Sequence, residues 1–316
     1  MKKSKINIYS GIVVIGLVIA VRLIGGLQFF EFMALDFLLR IAPEEKPDEH
    51  IVIIGITEED LKKQNTYFVT DEEIAKLLNY LNQYEPAIIG LDIYRDVPFG
   101  SKRAELVKAF NLKNKNNESI VIGVDKFAEK IEQKCQGDIA AAPELPDDQV
   151  GFTNLPLDMD GNTRRAILAS IDECTKDKKL RFSLAIRLAE KYLNGKGYEL
   201  NNDPHDDREI VFTSKNSNKI VKLPRFASFP EFNLEQEEEI KENHHRKLGN
   251  ILATYGGYIR PNDGLNQILL SARRHKNPYR TFSLSAIKLG EVKKKDIQGR
   301  IVLIAMTSES HKDFFN

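Results

Sequence analysis

Few side chains in this 316-residue sequence are of types that do chemistry, and most of those few are acids and arginines. Asp92 closes the apolar run Ala87-Ile88-Ile89-Gly90-Leu91, and ligands of α/β proteins gather at the carboxyl ends of strands. It is the best single site candidate. The competing reading has its carboxylate accepting backbone hydrogen bonds in the turn after the strand. Arg164 and Arg165 are adjacent and could hold an anion through their paired N–H donors; a pairing with Asp158 or Asp160 is the alternative. Asp158-Met159-Asp160-Gly161-Asn162 begins like a calcium loop. The sixth and twelfth positions from Asp158 are Thr163 and Ala169, however, where that loop needs Gly and Glu. The run therefore reads as a hairpin turn.

Other chemistry is missing. His244 and His245 are neighbours, so their rings diverge on a helix or a strand, and no third ligand is identifiable. There is no G-x-S-x-G elbow, no H-E-x-x-H and no C-x-x-C. Gly195-Lys196-Gly197 lacks the upstream glycine and the following hydroxyl of a P-loop and reads as a helix-ending turn. No catalytic set, metal or cofactor is expected. The 46 Lys and Arg residues balance 46 Asp and Glu, without the basic surplus that nucleic-acid phosphates demand. A chain 42% hydrophobic and 29% charged is globular, long enough for one large domain or two ordinary ones.

The elements that must position these residues begin at the N-terminus. Lys2, Lys3 and Lys5 precede an apolar stretch over residues 6–27, a length that matches a hydrocarbon core of roughly 30 Å. Basic residues before it place residues 1–5 in the cytoplasm and the bulk of the chain outside. Arg22, near the outer end, can snorkel to the interface. No A-x-A-like site follows, so the stretch reads as an uncleaved anchor rather than a cleaved signal peptide. Residues 28–41 keep a helical period and read as a continuing stalk, ended by Pro43 and Pro47. Outside the cytoplasm Cys135 and Cys174 most simply form one disulfide, two free buried thiols being the alternative.

The rest is α/β with a mostly parallel central sheet flanked by helices. Ile51-Val52-Ile53-Ile54-Gly55-Ile56 has the β-branched character of a strand buried on both faces. Thr70 and Glu73 form a capping box for a helix to about Tyr84, and residues 87–93 make the next strand, a βαβ unit. A helix over 102–111 and a strand over 120–124 repeat it. Residues 267–270, a helix over 282–289 and a strand over 300–305 supply another unit. Residues 196–248 are polar and read as a surface insertion.

A resemblance runs through these segments. An anchor followed by Ala34-Leu35-Asp36-Phe37-Leu38-Leu39-Arg40 resembles the entry to a bacterial sensory family. That family is the cyclase/histidine-kinase-associated sensory extracellular domain of type two, or CHASE type two. Similar segments follow in the family's order: residues 51–56, Pro86 through Asp92 to Arg95, Val150-Gly151-Phe152-Thr153-Asn154, and Asp158 through Gly161 to Arg164 and Arg165. Residues 182–189, 267–270 and 300–305 come next, leading to Ser308, Ser310 and Asp313. Ser271-Ala272-Arg273-Arg274 stands where the family tends to have an Asn-Tyr-Arg-like run, so no role is carried over there.

The resemblance implies a membrane-anchored input module, not itself an enzyme. It would detect an unassigned extracytoplasmic ligand for a cytoplasmic kinase or cyclase, which family members carry beyond further membrane helices past the position of Asn316. It implies the Cys135–Cys174 bridge, since members carry cysteines at similar places. Asp36, Arg40, Asp92, Asp158, Asp160, Gly161, Arg164, Arg165 and Asp313 are its motif positions, with no assigned role. The expected organisation is a cytoplasmic segment 1–5, a span 6–27, a stalk 28–41 and a sensory domain 42–316. The expected place is the cell (inner) membrane, a single pass with the bulk periplasmic; the expected partners are the lipid bilayer and a second copy, without nucleic acid. An anchored partner-binding ectodomain without output, or a periplasmic enzyme, are the competing functions.

Overall fold

The computed structural model describes residues 2–23, 25–131, 134–172, 174–176, 179–203, 210–223, 265–271 and 273–311. His244, His245, Asp313 and most of the expected insertion lie outside them. Two helices open the chain, α1 (Lys2–Leu23) and α2 (Gln28–Ile41). The first β-branched run forms β1 (Ile51–Ile56). After it come α3 (Glu58–Gln64), α4 (Asp71–Asn82), β2 (Ile88–Asp92), α5 (Arg103–Phe110) and β3 (Val121–Asp125). A small hairpin, β4 (Glu129–Ile131) with β5 (Lys134–Gln136), precedes β6 (Val150–Phe152).

The second half holds β7 (Arg165–Ile171), β8 (Leu180–Phe182), α6 (Leu184–Asn194), β9 (Tyr198–Asn202), β10 (Ile210–Ser214) and β11 (Ile220–Lys222). It closes with β12 (Leu265–Leu269), β13 (Arg280–Ser283), α7 (Leu284–Lys288), α8 (Lys294–Ile297) and β14 (Ile301–Met306).

The expected parallel sheet is present, with six strands in the order β13-β1-β14-β2-β3-β6. Ile54 lies opposite Ile304 in register, and Leu91 pairs with the same residue from the other side. One face is covered by α3, α4, α5, α7 and α8, whose Leu61, Leu78, Leu106, Ile287 and Ile297 pack on Val52, Ile54 and Ile304. The other face receives α6, with Leu188 against Ile88 and Ile122. The same helix turns Ile186 toward Leu168, Ala169 and Ile210, so one amphipathic helix joins the parallel sheet to the antiparallel strands beyond it. Gly151 makes this junction possible: a Cβ there would lie 2.5 Å from Leu184 Cα.

Several expectations are corrected. The segment 267–270 does not join the parallel sheet; it overlaps β12, which runs antiparallel to β7, and β7 also pairs with β8. In the parallel sheet the edge strand β13 is unexpected, because only Phe282 of Arg280-Thr281-Phe282-Ser283 is a large apolar residue and the run lacks a strand period; the antiparallel strands β4, β5 and β7–β11 are likewise additions of the fold. Helix α3 was missed for its shortness, although Thr57 and Asp60 close a full capping box. At α4 only the Thr70 half forms, its hydroxyl accepting from the Glu73 amide. Residues 158–162 do turn, with the Gly161 amide on the Asp158 carbonyl at 2.9 Å. No strand pair flanks that turn, so it is not a hairpin. Part of the expected insertion is a three-stranded antiparallel sheet, β11-β10-β9.

The N-terminal expectation also changes. The stalk is not continuous with the first helix, because the Gly25 and Gly26 amides fold back onto the carbonyls of Arg22 and Val21 at 3.0 and 2.9 Å and end it. Among the described residues no helix is long and apolar enough to cross a membrane. The described side chains of α1 run only from Tyr9 to Arg22, short of what a hydrocarbon core of roughly 30 Å requires. The fold by itself therefore does not establish the span over 6–27.

Cys135 on β5 and Cys174 after β7 form a disulfide, with Cα atoms 5.7 Å apart. It fastens an exposed hairpin to the second sheet and closes a loop spanning 39 positions. Replacing both cysteines by serine is expected to lower stability by roughly 3–4 kcal/mol in the chain-entropy model; urea unfolding of the two forms checks it. Gly151→Ala is expected to cost about 1–3 kcal/mol by overpacking, with the same readout.

Candidate functional site

The acids and arginines singled out by type converge on one place. Arg164 stands just before β7, and Arg165 is the first residue of that strand. Asp158 and Asp160 lie in the turn upstream. Asp36 comes from α2, far away in sequence but one contact away in space. The Arg164 guanidinium donates to Asp36 through Nε and Nη2, at 2.7 and 2.8 Å. It donates to Asp160 through Nη1 and Nη2, at 2.9 and 2.7 Å, and to Asp158 at 3.0 Å. Its other side lies over the Phe32 ring, 4.7 Å from the centroid. Arg165 holds the remaining oxygen of Asp158 through Nε at 2.9 Å and reaches Gln267 of β12 at 2.8 Å. The pairing reading of Arg164 and Arg165 is the one the fold adopts; their donors are committed to protein carboxylates rather than to an anion.

Local sequence explains the arrangement. Asp158 and Asp160 alternate with exposed Leu157 and Met159, so the carboxylates face in. Gly161 sits at φ 80°, in the left-handed region where a side chain is strained, and brings the chain back within four residues so that Arg164 meets both acids. On α2, Phe32 and Asp36 are one helical turn apart and share a face. Asp158 is completely buried and Arg164 nearly so, a combination that is stable only if every charge has a partner.

The electrostatics follow. Arg164's hydrogen bonds hold the carboxyls of both Asp36 and Asp160 below the ordinary aspartate value. Arg40, one turn beyond Asp36, adds a smaller pull in the same direction. The Arg164 guanidinium is pushed up by Asp36 first and by Asp160 next.

Two further charged sets were not legible as sites. Asp71, fully buried at the start of α4, lies 3.3 Å from Arg95 and 3.4 Å from Arg103. Arg103 also pairs with Glu144, which raises its pKa, while burial lowers that of Arg95. At the end of β3, Asp125 pairs with Arg181, which also reaches Asp172 at 3.6 Å. Burial pushes the Asp125 carboxyl up against the opposing pull of Arg181. No sequence motif links these partners; only the fold does.

Asp92 ends β2 and is exposed, with Ala305 opposite it in register. The cleft at this carboxyl edge, about 380 Å³, is lined elsewhere, by residues that include Thr57, Glu58, Asp60, Ser283, Ser285 and Thr307. Within it the Asp60 carboxylate accepts from the Thr57 and Ser285 amides at 2.9 and 2.8 Å, and the Ser310 hydroxyl donates to Glu58 at 2.7 Å. The cleft is thus lined by hydroxyls and acids, with the Asp60 carboxylate already held by two backbone amides. Among the described residues no cluster of His, Cys, Asp and Glu has the arrangement of a metal site.

Arg164→Ala strands the buried Asp158 with Arg165 alone and is expected to cost about 3–5 kcal/mol, measured by urea unfolding. A pH effect follows from the same cluster. Carboxyls whose folded pKa is depressed contribute stability that is complete above the ordinary aspartate value of about 3.9 and lost as pH falls through the lowered values. Acidification below about pH 4 is therefore expected to free α2, read as faster proteolysis within residues 42–50, and Asp36→Asn is expected to show the same cleavage at neutral pH.

The comparisons with known proteins come down to one match. Neither the curated proteins nor the solved structures include one that matches the chain. The family model of the CHASE2 domain matches residues 13–316, a range that holds α2, the charged cluster, the disulfide and the parallel sheet. The chain therefore belongs to the CHASE2 domain family, the extracellular sensory domains of signalling proteins.

Proposed function

We propose that this chain is the extracytoplasmic input module of a bacterial signalling protein, in which the Arg164 cluster couples the sensory domain to the membrane. The observation that carries the reading is the double hydrogen bond from Arg164 to Asp36. It clamps the second helix, α2, to the strand layer beside the parallel sheet. A rearrangement of β7 or of the turn 158–162 then moves α2, and α2 meets α1 through the Arg22–Glu31 pair at 2.6 Å. A ligand acts in such a device by favouring one of two clamp arrangements.

In this reading α1 is the anchor, residues 1–5 are cytoplasmic and residues 42–316 are outside. Two facts support it. The 22 residues of α1 rise about 33 Å at about 1.5 Å each. Ile12, Val13, Val14, Ile15, Leu17 and Ile19 of α1 are each more than half exposed, on every side of the helix. A helix apolar all round needs an apolar surrounding. The output, a kinase or cyclase, would lie on a cytoplasmic extension, and a second copy would pair with the first for signalling. The chain itself performs no catalysis in this scheme, and neither a cofactor nor a nucleic acid takes part.

The test joins the chain to a histidine-kinase reporter through membrane helices in bacterial cells. Asp36→Arg is expected to abolish the response to a signal, and Asp36→Arg with Arg164→Asp is expected to restore part of it. Unchanged signalling in the single variant would refute the coupling. A chain retained in carbonate-washed membranes that never modulates the reporter would favour a partner-binding ectodomain instead.

A further inference from the structure

The second helix is amphipathic in the inverse sense. Its polar side chains Glu31 and Asp36 turn to the protein, where Arg22 and Arg164 hold them. Phe32 is buried beside them. Its outward side carries Phe29, Phe30, Met33, Phe37, Leu38 and Ile41, each more than half exposed. Large apolar side chains thus face outward along the whole helix, and of its charged residues only Arg40, in the last turn, is exposed among them.

The patch extends beyond α2. Asp158 and Asp160 share one guanidinium with Asp36, so the turn carrying them abuts α2 at that residue. Between and before those inward acids stand Leu157, 56% exposed, and Met159, 91% exposed. Contiguous apolar surface of this extent on a soluble face marks an interaction site.

We propose that this surface, the outward side of α2 with Leu157 and Met159, is a platform seated on the interfacial layer of the lipid bilayer. The proposal rests on the anchor reading of α1 and adds a second, separate membrane contact. Two observations favour lipid over a second copy of the chain. The patch continues from α1 across the short turn at residues 25–27, and α1 is apolar on all sides, which lipid can cover and a single protein partner cannot. On α2 the exposed apolar residues occupy adjacent rows, 29-33-37 and 30-34-38-41, wider than the two-position seam of a helix pair and like the broad face of a helix lying in the interface. The clamp of Arg164 on Asp36 would then report on how the domain sits on its membrane.

The experiment places single cysteines in the whole chain, with the native disulfide kept, at Val14, Phe37, Met159 and Asn116. Each is labelled with an environment-sensitive fluorophore in phosphatidylcholine–phosphatidylglycerol vesicles containing a lipid with a nitroxide near the headgroup end of its acyl chain. The expected result is loss of most fluorescence at Val14→Cys, Phe37→Cys and Met159→Cys, and none at Asn116→Cys, in an exposed turn. Loss at Val14→Cys alone overturns the platform and leaves the anchor standing. No loss at any position overturns both. Self-quenching between copies labelled at Phe37→Cys, without nitroxide quenching, overturns the lipid platform in favour of a protein interface.

Discussion

An arginine side chain with 6% of its surface exposed is the constraint on which this architecture turns. Guanidinium cannot shed its charge, so Arg164 can be buried only where carboxylates are brought to it. Three acids are: one from α2 and two from the turn before β7. Each delivery fixes a larger element. Asp36 fixes the rotation of α2, because only one face of that helix can present Phe32 and Asp36 together. Asp158 and Asp160 fix the turn, which in response sends Leu157 and Met159 outward. Arg165, through Gln267, extends the same order to β12.

The parallel sheet is held differently, by apolar contact on two faces. Its α4 face is continuous and wide, and among the described residues the α6 face is covered by one helix that also packs on the second sheet. The antiparallel strands are therefore in contact with the parallel sheet through α6 and with α2 through the charged cluster. The disulfide limits only the outer hairpin and the loop after β7. These two sets of contacts are distinct, one apolar through α6 and one ionic through Arg164.

How much of this could be read from the sequence depends on the range over which each interaction acts. Strands β1, β2, β3 and β14 were legible because burial on both faces leaves an uninterrupted β-branched run. The start of α4 was legible from Thr70, a local cap. Strand β13 was not, since edge pairing needs no apolar run, and residues 267–270 were assigned to the wrong sheet because a short apolar segment does not encode its partner. Arg164, Arg165, Asp158 and Asp160 were recognised as a possible ionic set from proximity alone. That Asp36 joins them, and that Asp71 is shared between Arg95 and Arg103, depends on contacts between elements far apart in the chain. No local pattern records those contacts. Asp92 drew notice by its place at a strand end, yet the cleft at that edge is built by neighbouring strands.

The inverted polarity of α2 bears on how this domain can be exchanged between proteins. A receptor chimera joined just before β1 would inherit a foreign second helix, whose inward face need not carry an acid for Arg164. The buried guanidinium would then face a gap in its ring of charges, and the grafted domain would be uncoupled from its new host even if it folded. A junction placed in the turn at residues 25–27 keeps α2 with its own domain. The natural unit of transfer thus begins at α2, one helix earlier than the first strand of the sheet suggests.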